Sequence, residues 1–373
     1  MNITIYDFNV DNVNQFSPFS VNHASFELKV GLFSNFERIK LFCLKNNIEI
    51  DQIYLIVRKE IEELIKEKYP ECIVNPPSDF NKGKEFEGNI VYDFSKNKNN
   101  ISLCYLWDIF TYSAEFFLND IAEYKFNAIS SFPSATKFFE TIHKKFDLAT
   151  LVNEKDIIIN EDSDIKAGVV IDAENAPIII GKNVVVDIGA LIQGPVFIDD
   201  NAYIAPGAKI RPSTYIGKYC KVGGEVSCSI INDYSNKVHD GFLGHSFIGE
   251  WVNIGAGTNN SNLKNDYSNI KFNFGDGKGF IDTQKQFLGA FIGDYSRFGI
   301  STMLNTGTHV GIGSNVFGAG YQNRLISSFS WGKENRVNFE KFIETCKKMK
   351  QRRNLIMSNA EFEFLKAIYN KNL

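Results

Sequence analysis

The sequence predicts an N-terminal α/β domain, a parallel β-helix built from hexapeptide repeats, and a C-terminal helical segment. Three observations predict it. An aliphatic residue returns every six positions from Ile180 onward, residues 1–155 alternate short apolar runs with helical spacings, and helical spacing resumes after Gly332. The chain has 373 residues, 44% apolar and 23% charged, which is long for one ordinary core and too apolar for disorder.

Residues 1–155 read as the α/β domain. ITIYDF, QIYLIV (52–57) and NIVYDF (89–94) have the length and composition of short buried strands. VRKEIEELIKEKY (57–69) and LWDIFTYSAEFFLNDIAEYK (106–125) between and after them carry helical spacing. Alternation of this kind argues a sheet that is at least partly parallel. A nucleotide-transferring domain would need a Gly-rich loop to cradle a triphosphate and acidic residues to hold Mg2+. After the first run the chain reads DFNVDNVNQFSP, with no glycine before Gly31. Asp7 and Asp108 are open to metal ligation or to a structural role.

Residues 160–332 carry the repeat. From Ile180 the steps are Val186, Ile192, Ile198, Ile204, Ile210, Ile216 and Val222. Four positions after each lies a small or β-branched residue: Val184, Ala190, Val196, Ala202, Ala208, Thr214, Cys220 and Val226. The phase returns at Ile248 and Ile254, and again at Ile292, Phe298, Leu304, Val310 and Val316. A period of six fits neither a helix at 3.6 nor a lone strand at 2. It fits a triangular coil of three hexads, with the aliphatic residue pointing inward and the small residue beside a corner. Glycine after the aliphatic residue, as at Gly181, Gly217, Gly249 and Gly293, suits a tight turn with positive φ. The phase slips between Val226 and Ile248 and stops between Thr258 and Phe287, where an Asn-, Lys- and Asp-rich stretch reads as a loop projecting from the column.

Residues 335–373 place Phe339, Phe342, Ile343, Met349, Phe362, Leu365 and Ile368 at helical spacing, and the basic run KKMKQRR (347–353) reads as a solvated face. Lys plus Arg is 40 and Asp plus Glu 44, a net charge of −4, which gives no field for holding a nucleic-acid backbone or an anionic membrane surface. No stretch approaches the roughly 20 apolar residues of a membrane span. The N-terminal MNITIYDFNVDN lacks the form of a secretory signal, and six scattered Cys form no C-x-x-C pair, so reduced thiols and a cytoplasmic location are expected. His239 and His245 are too few for a metal site unless His309 joins them, so no metal is expected there.

The stretch HDGFLGHSFIGEWVNIGAGT (239–258) resembles the acetyltransferase half of the bifunctional N-acetylglucosamine-1-phosphate uridyltransferase/glucosamine-1-phosphate acetyltransferase family. KVGGEVSCSIINDYSNKVHDGF, IGEWVNIGAGTNNSNLKN, LNTGTHVGIGSNVFGAG and SSFSWGK resemble a group of bacterial sugar nucleotidyltransferase-like proteins, as do SPFSVNHASFELKVGLF and LWDIF more thinly. The resemblance implies a left-handed β-helix, a shortened and degenerate nucleotidyltransferase-like domain, and a homotrimer. It implies that His239 is the general base toward a sugar amine, that Asn253 and Asn262 line the acceptor site, and that the N–H near Ala256 faces a thioester carbonyl. Arg211 is implied as a phosphate ligand, with Glu225, Lys237, Asp240, Phe242 and Lys264 around the same substrate. Gly318, Ala319, Gly320 and Arg324, with Ala256, are implied along the coenzyme A arm.

The chain departs from the family where Phe242 replaces a phosphate-binding tyrosine and where an expected lysine falls on Ser227 or Cys228. Glu225 would repel a phosphate unless Lys221 or Lys237 offsets it. The expected activity is transfer of an acyl group, acetyl from acetyl-CoA as co-substrate, to the amine of a phosphate- or nucleotide-linked amino sugar. Mg2+ enters only if the N-terminal domain is active. Two alternatives stand beside it: sugar-1-phosphate nucleotidyl transfer with the β-helix as scaffold, and non-catalytic binding of nucleotide sugars.

Overall fold

The structure, a computed structural model, describes residues 1–8, 12–92, 100–112, 115–120 and 146–371. Parts of the NIVYDF and LWDIFTYSAEFFLNDIAEYK readings, 93–94, 113–114 and 121–125, lie outside the described residues. The chain divides into two compact units, residues 1–112 with 338–373, and residues 113–337. The C-terminal helices thus belong to the same unit as the N-terminal sheet.

In the first unit, four parallel strands lie in the order Ile73–Val74, Ile53–Ile56, Ile3–Tyr6, Lys84–Glu87. Ile3, Ile5, Ile53 and Leu55 are buried, so the first two apolar runs read from the sequence, ITIYDF and QIYLIV, form the middle of the sheet. The strand expected at 89–94 differs. Ile90–Val91 pairs antiparallel with Ile101–Ser102, and the fourth parallel strand is Lys84–Glu87, whose charged, alternating pattern suits an edge. The helical spacing at 57–69 becomes a 3-10 turn, Lys59–Ile61, running into the helix Glu62–Lys68. A helix over Asn35–Lys45 opens with a capping box: Ser34 Oγ accepts from the Glu37 N–H, and Glu37 Oε2 accepts from the Ser34 N–H at 2.7 Å. The helices Phe339–Gln351 and Asn359–Asn370 are capped by Asn338 and Ser358, and the second packs on Glu62–Lys68.

The second unit is the column. Its three faces are sheets of nine, ten and six strands, parallel except for the last strand of the ten, and the six-stranded face is continued by the pair Asn259–Asn260 and Met303–Leu304. Every aliphatic step and every small residue four positions later is buried, from Ile180 and Val184 to Val316. The interruption before Ile248 is only a trim. Val226 to Ile231 and Leu243 to Ile248 each span five residues, and the shortened corners carry Cys228 and His245 at φ +47° and +49°.

The glycines after the aliphatic steps are needed for closeness, and none of Gly181, Gly217, Gly249 and Gly293 has a positive φ. A Cβ at Gly181, Gly217 or Gly249 would lie 2.6, 2.4 or 2.3 Å from the carboxylate oxygen of Asp200, Asp233 or Asp294 on the next coil. Those oxygens accept the N–H of Lys182, Lys218 and Glu250 at 2.7–2.9 Å, so each carboxylate ties two coils together at the corner. The left-handed backbone falls two residues later on Asn183, Tyr219 and Trp251. At that corner Tyr219, Tyr234 and Trp251 stack with ring centroids 5.1 and 4.3 Å apart.

The insertion between Thr258 and Phe287 contains an antiparallel hairpin, Lys271–Phe272 with Ile281–Asp282. It lies against the column: Phe272 is buried edge-on against Phe291 and 5.7 Å from the ring of His309. At the far end of the ten-stranded face, Ser330–Trp331 is followed by an antiparallel return strand, Asn335–Arg336.

Candidate active site

The strand Phe242–Gly244 pairs with Glu225–Ser227, which pairs with Lys209–Ile210, so the residues near His239 share one face of the column. His239 stands at the corner leading into this face. It is exposed, and its ring makes no hydrogen bond or ion pair among the described residues. Asp240 beside it is exposed, and its carbonyl accepts the Gly257 N–H at 2.9 Å. The Ala256 N–H, next to that bond, has no acceptor among the described residues, while the Ala256 carbonyl takes the Ser301 N–H at 2.7 Å. Gly241 lies at φ +128°, where a Cβ would stand 2.1 Å from the Thr258 carbonyl oxygen, so only glycine lets the corner pass so near the next coil.

Lys237, expected among the substrate ligands, lies inside the column instead. It is 3% exposed and in register with Val222, and its Nζ donates to the carbonyls of Gly223 at 3.0 Å and His239 at 2.6 Å. Burial pulls its pKa down to about 8, against a smaller upward pull from Asp240. The group that offsets Glu225 is therefore Arg211, whose Nη1 lies 3.0 Å from Glu225 Oε1.

Asn253 is exposed and lies in register between Asn236 and Arg297 on the ten-stranded face. Asn262 bonds His245, its Nδ2 lying 2.9 Å from the imidazole Nδ1. Phe287 stacks on that imidazole at 5.2 Å, and burial pushes the His245 pKa down to about 4, so the ring is neutral at physiological pH and accepts at Nδ1. Phe242 is held by its N–H, which donates to Asn259 Oδ1 at 2.7 Å. Lys264 closes its own loop on Ser268 and the Asn269 carbonyl at 3.1 and 2.8 Å.

Gly318, Ala319 and Gly320 form an exposed bend whose first and last carbonyls accept from buried Gln322 Nε2 at 3.0 and 3.2 Å. Arg324 is engaged elsewhere. Its Nε donates to the Thr306 carbonyl at 3.0 Å, Nη2 donates to the Lys271 carbonyl, and its guanidinium lies 4.6 Å from the Phe280 ring centre, which fastens the hairpin to the column. His245, Asn259 and Asn260 shape the site and were not assigned a role from sequence. The paired asparagines of NNSN were the available signal, because Asn260 turns inward to bridge the N–H and C=O of Gly244 at 2.9 and 3.0 Å.

In the first unit Mg2+ finds no fit at the two acidic candidates. Asp7 is buried, with Oδ2 on Arg58 Nε at 2.7 Å and Oδ1 accepting the Ser25 N–H at 2.7 Å. Asp108 Oδ2 accepts the N–H groups of Cys104 and Tyr105, both at 2.9 Å. Both carboxylates serve the local backbone, and no step is routed through a metal there.

Fold and site together define a hexapeptide-repeat β-helix protein with an exposed histidine at a column corner. No protein-family model matches the chain. The chain is similar to the bifunctional sugar-1-phosphate nucleotidylyltransferase/acetyltransferase of Sulfurisphaera tokodaii, at 35% identity over 151 residues, 40% of this chain and 37% of that protein. It is similar to the bifunctional protein GlmU of Ruthia magnifica at 30% identity over 186 residues, covering 40% of this chain and 38% of the relative. The chain thus spans less than two fifths of the length of these curated relatives. Among solved structures, the UDP-N-acetylglucosamine acyltransferase from Campylobacter jejuni aligns with a TM-score of 0.29 at 13% identity, over 60% of this chain and 94% of that one.

Proposed function

We propose that this protein transfers an acyl group, acetyl from acetyl-CoA, to the amine of an amino sugar carrying a phosphate or a nucleotide, acting as a cytoplasmic homotrimer. The observation that carries the reading is His239, an exposed imidazole free of other bonds among the described residues, inside the stretch that resembles acetyltransferases. An ammonium has no lone pair, so the amine must shed a proton to attack a thioester, and an imidazole nitrogen offers a lone pair to take it. The sugar nitrogen bonds to the acyl carbon as the carbon–sulfur bond breaks, and the proton accepted by His239 passes to the leaving thiolate. The Ala256 N–H supports the carbonyl oxygen as negative charge grows there.

Asn253 and Asn262 orient the sugar, with Asn262 held by His245. Arg211 takes the phosphate in competition with Glu225, which favours a ligand with more than one negative charge, such as a sugar phosphate or a nucleoside diphosphate sugar. Asp240, Phe242 and Lys264 border the same acceptor, and the bend Gly318–Gly320 offers main chain without side-chain bulk to a pantetheine arm. Similarity to two bifunctional transferases supports the class of reaction.

A thiol-release assay with acetyl-CoA against amino-sugar phosphates and nucleotide-linked amino sugars tests this. Release is expected with at least one acceptor, and His239→Ala should lower kcat by about 10²–10⁴-fold without moving the melting temperature. Silence across the panel, with stabilisation by a nucleoside triphosphate and pyrophosphate release, would assign nucleotidyl transfer instead. Nucleotide-sugar binding that survives His239→Ala, without turnover from any acyl-CoA, would assign a binding protein.

A further inference from the structure

The inward positions of the ten-stranded face run Ile165, Val186, Ile204, Val222, Lys237, Ile254, Phe298 and Val316 from coil to coil. Seven are apolar and one is a lysine. A buried ammonium is costly, and an aliphatic residue there would continue the stack on both sides. A local rule broken at one coil of an otherwise regular column points to a gain elsewhere. The gain is visible where the ammonium ends. It binds the carbonyl of Gly223 on one coil and that of His239 on the next, under Gly224, where a Cβ would be 2.9 Å from Nζ. The His239 corner also touches the coil on either side through its backbone, since the Glu225 N–H donates to the Gly241 carbonyl at 3.2 Å and the Gly257 N–H to the Asp240 carbonyl at 2.9 Å. His239 takes part in the corner through its carbonyl alone, which leaves its ring pointed outward and unbonded among the described residues.

We infer that Lys237 is a positioning residue, a buried cation that draws the His239 main chain onto the column and so fixes where the imidazole stands, at a cost in core stability. The consequence for catalysis rests on the acyl-transfer reading above; the fixing of the corner does not. A corner loosened by even an ångström is enough to weaken proton transfer from a bound amine.

The test is Lys237→Met in the full chain, with Lys237→Leu as a second variant should methionine fold poorly. Methionine fills the stack between Val222 and Ile254, so the melting temperature is expected to hold or rise. Amide hydrogen exchange at Glu225 and Gly257, whose acceptors are the corner carbonyls, is expected to quicken at least about tenfold. With the acceptor found by thiol release, kcat per folded molecule is expected to fall at least about tenfold while KM for acetyl-CoA stays the same. A lysine with a purely structural role would give the reverse, a lower melting temperature with kcat intact, and that result overturns the inference. So does unchanged exchange at both amides, whatever the activity. If the wild-type protein releases no thiol with any acceptor, acyl transfer fails as a function, and exchange at the two amides still decides whether Lys237 holds the corner.

Discussion

His309 and His245 are held below the ordinary imidazole range by burial, each at about 4. Unfolded, both would take up protons near pH 6.5, so the unfolded chain binds more protons over the interval between. Stability from this source is therefore complete above about pH 6.5 and is lost as pH falls toward 4. Urea unfolding at pH 7.5 and pH 5 should show the loss, and His309→Phe, which extends the aromatic contact with Phe291 and Phe272, should lessen it. Lys237 works in a different window. Its folded pKa of about 8 lies below the unfolded 10.5, with Asp240 the acidic group acting on it, so the folded chain gives up a proton first and stability rises between those values. The difference between wild type and Lys237→Met should carry that rise. The motif singles out His239 as a candidate, and the structure places it exposed at a corner. Lys237 was legible only as a charge near a motif, because the five-residue steps on either side of it, Val226 to Ile231 and Leu243 to Ile248, interrupt the hexad count that would place it inward.

At the level of elements, the column was readable because each inward residue stacks on its equivalent, which forces one residue class onto every sixth position. The role of the glycines was not readable, since a turn with positive φ and a close approach by a neighbouring coil both select glycine. The structure separates them. Gly249→Ala would press a methyl group against Asp294 Oδ1 and the Asp294 backbone nitrogen 2.8 Å away, and is expected to cost about 1–3 kcal/mol in urea unfolding. Gly189→Ala meets nothing within 4 Å and should cost less, through its φ of +69° alone. The insertion at 259–286 reads as a projecting loop because its composition is polar, yet Ile270, Phe272 and Phe274 are buried. Three spaced apolar residues in a polar run are too few to mark a packed hairpin by period. Phe272→Ala should cost about 3–5 kcal/mol if the hairpin is part of the cooperative unit. In the first unit the edge strand Lys84–Glu87 escaped notice for a related reason: its outward positions are glutamates, and only Phe86 turns fully inward.

For the molecule as a whole, the proposed trimer has a surface to test. Ile300 is 80% exposed on the column, with Met303, Phe317 and Tyr321 also exposed nearby in the repeat. Sedimentation velocity is expected to give three chains, and Ile300→Asp to shift the protein toward one. A single chain for the wild type at micromolar concentration would remove the trimer from the proposal. Parallel coils present a second hazard, because a stack of strands with an open end invites another stack to join it. The return strand Asn335–Arg336 runs against the direction of every coil below it on that face, so the last rung offers an incoming parallel strand the wrong polarity and a charged side chain. The column therefore carries its own terminator, and a chain cut before that reversal should grow into fibres.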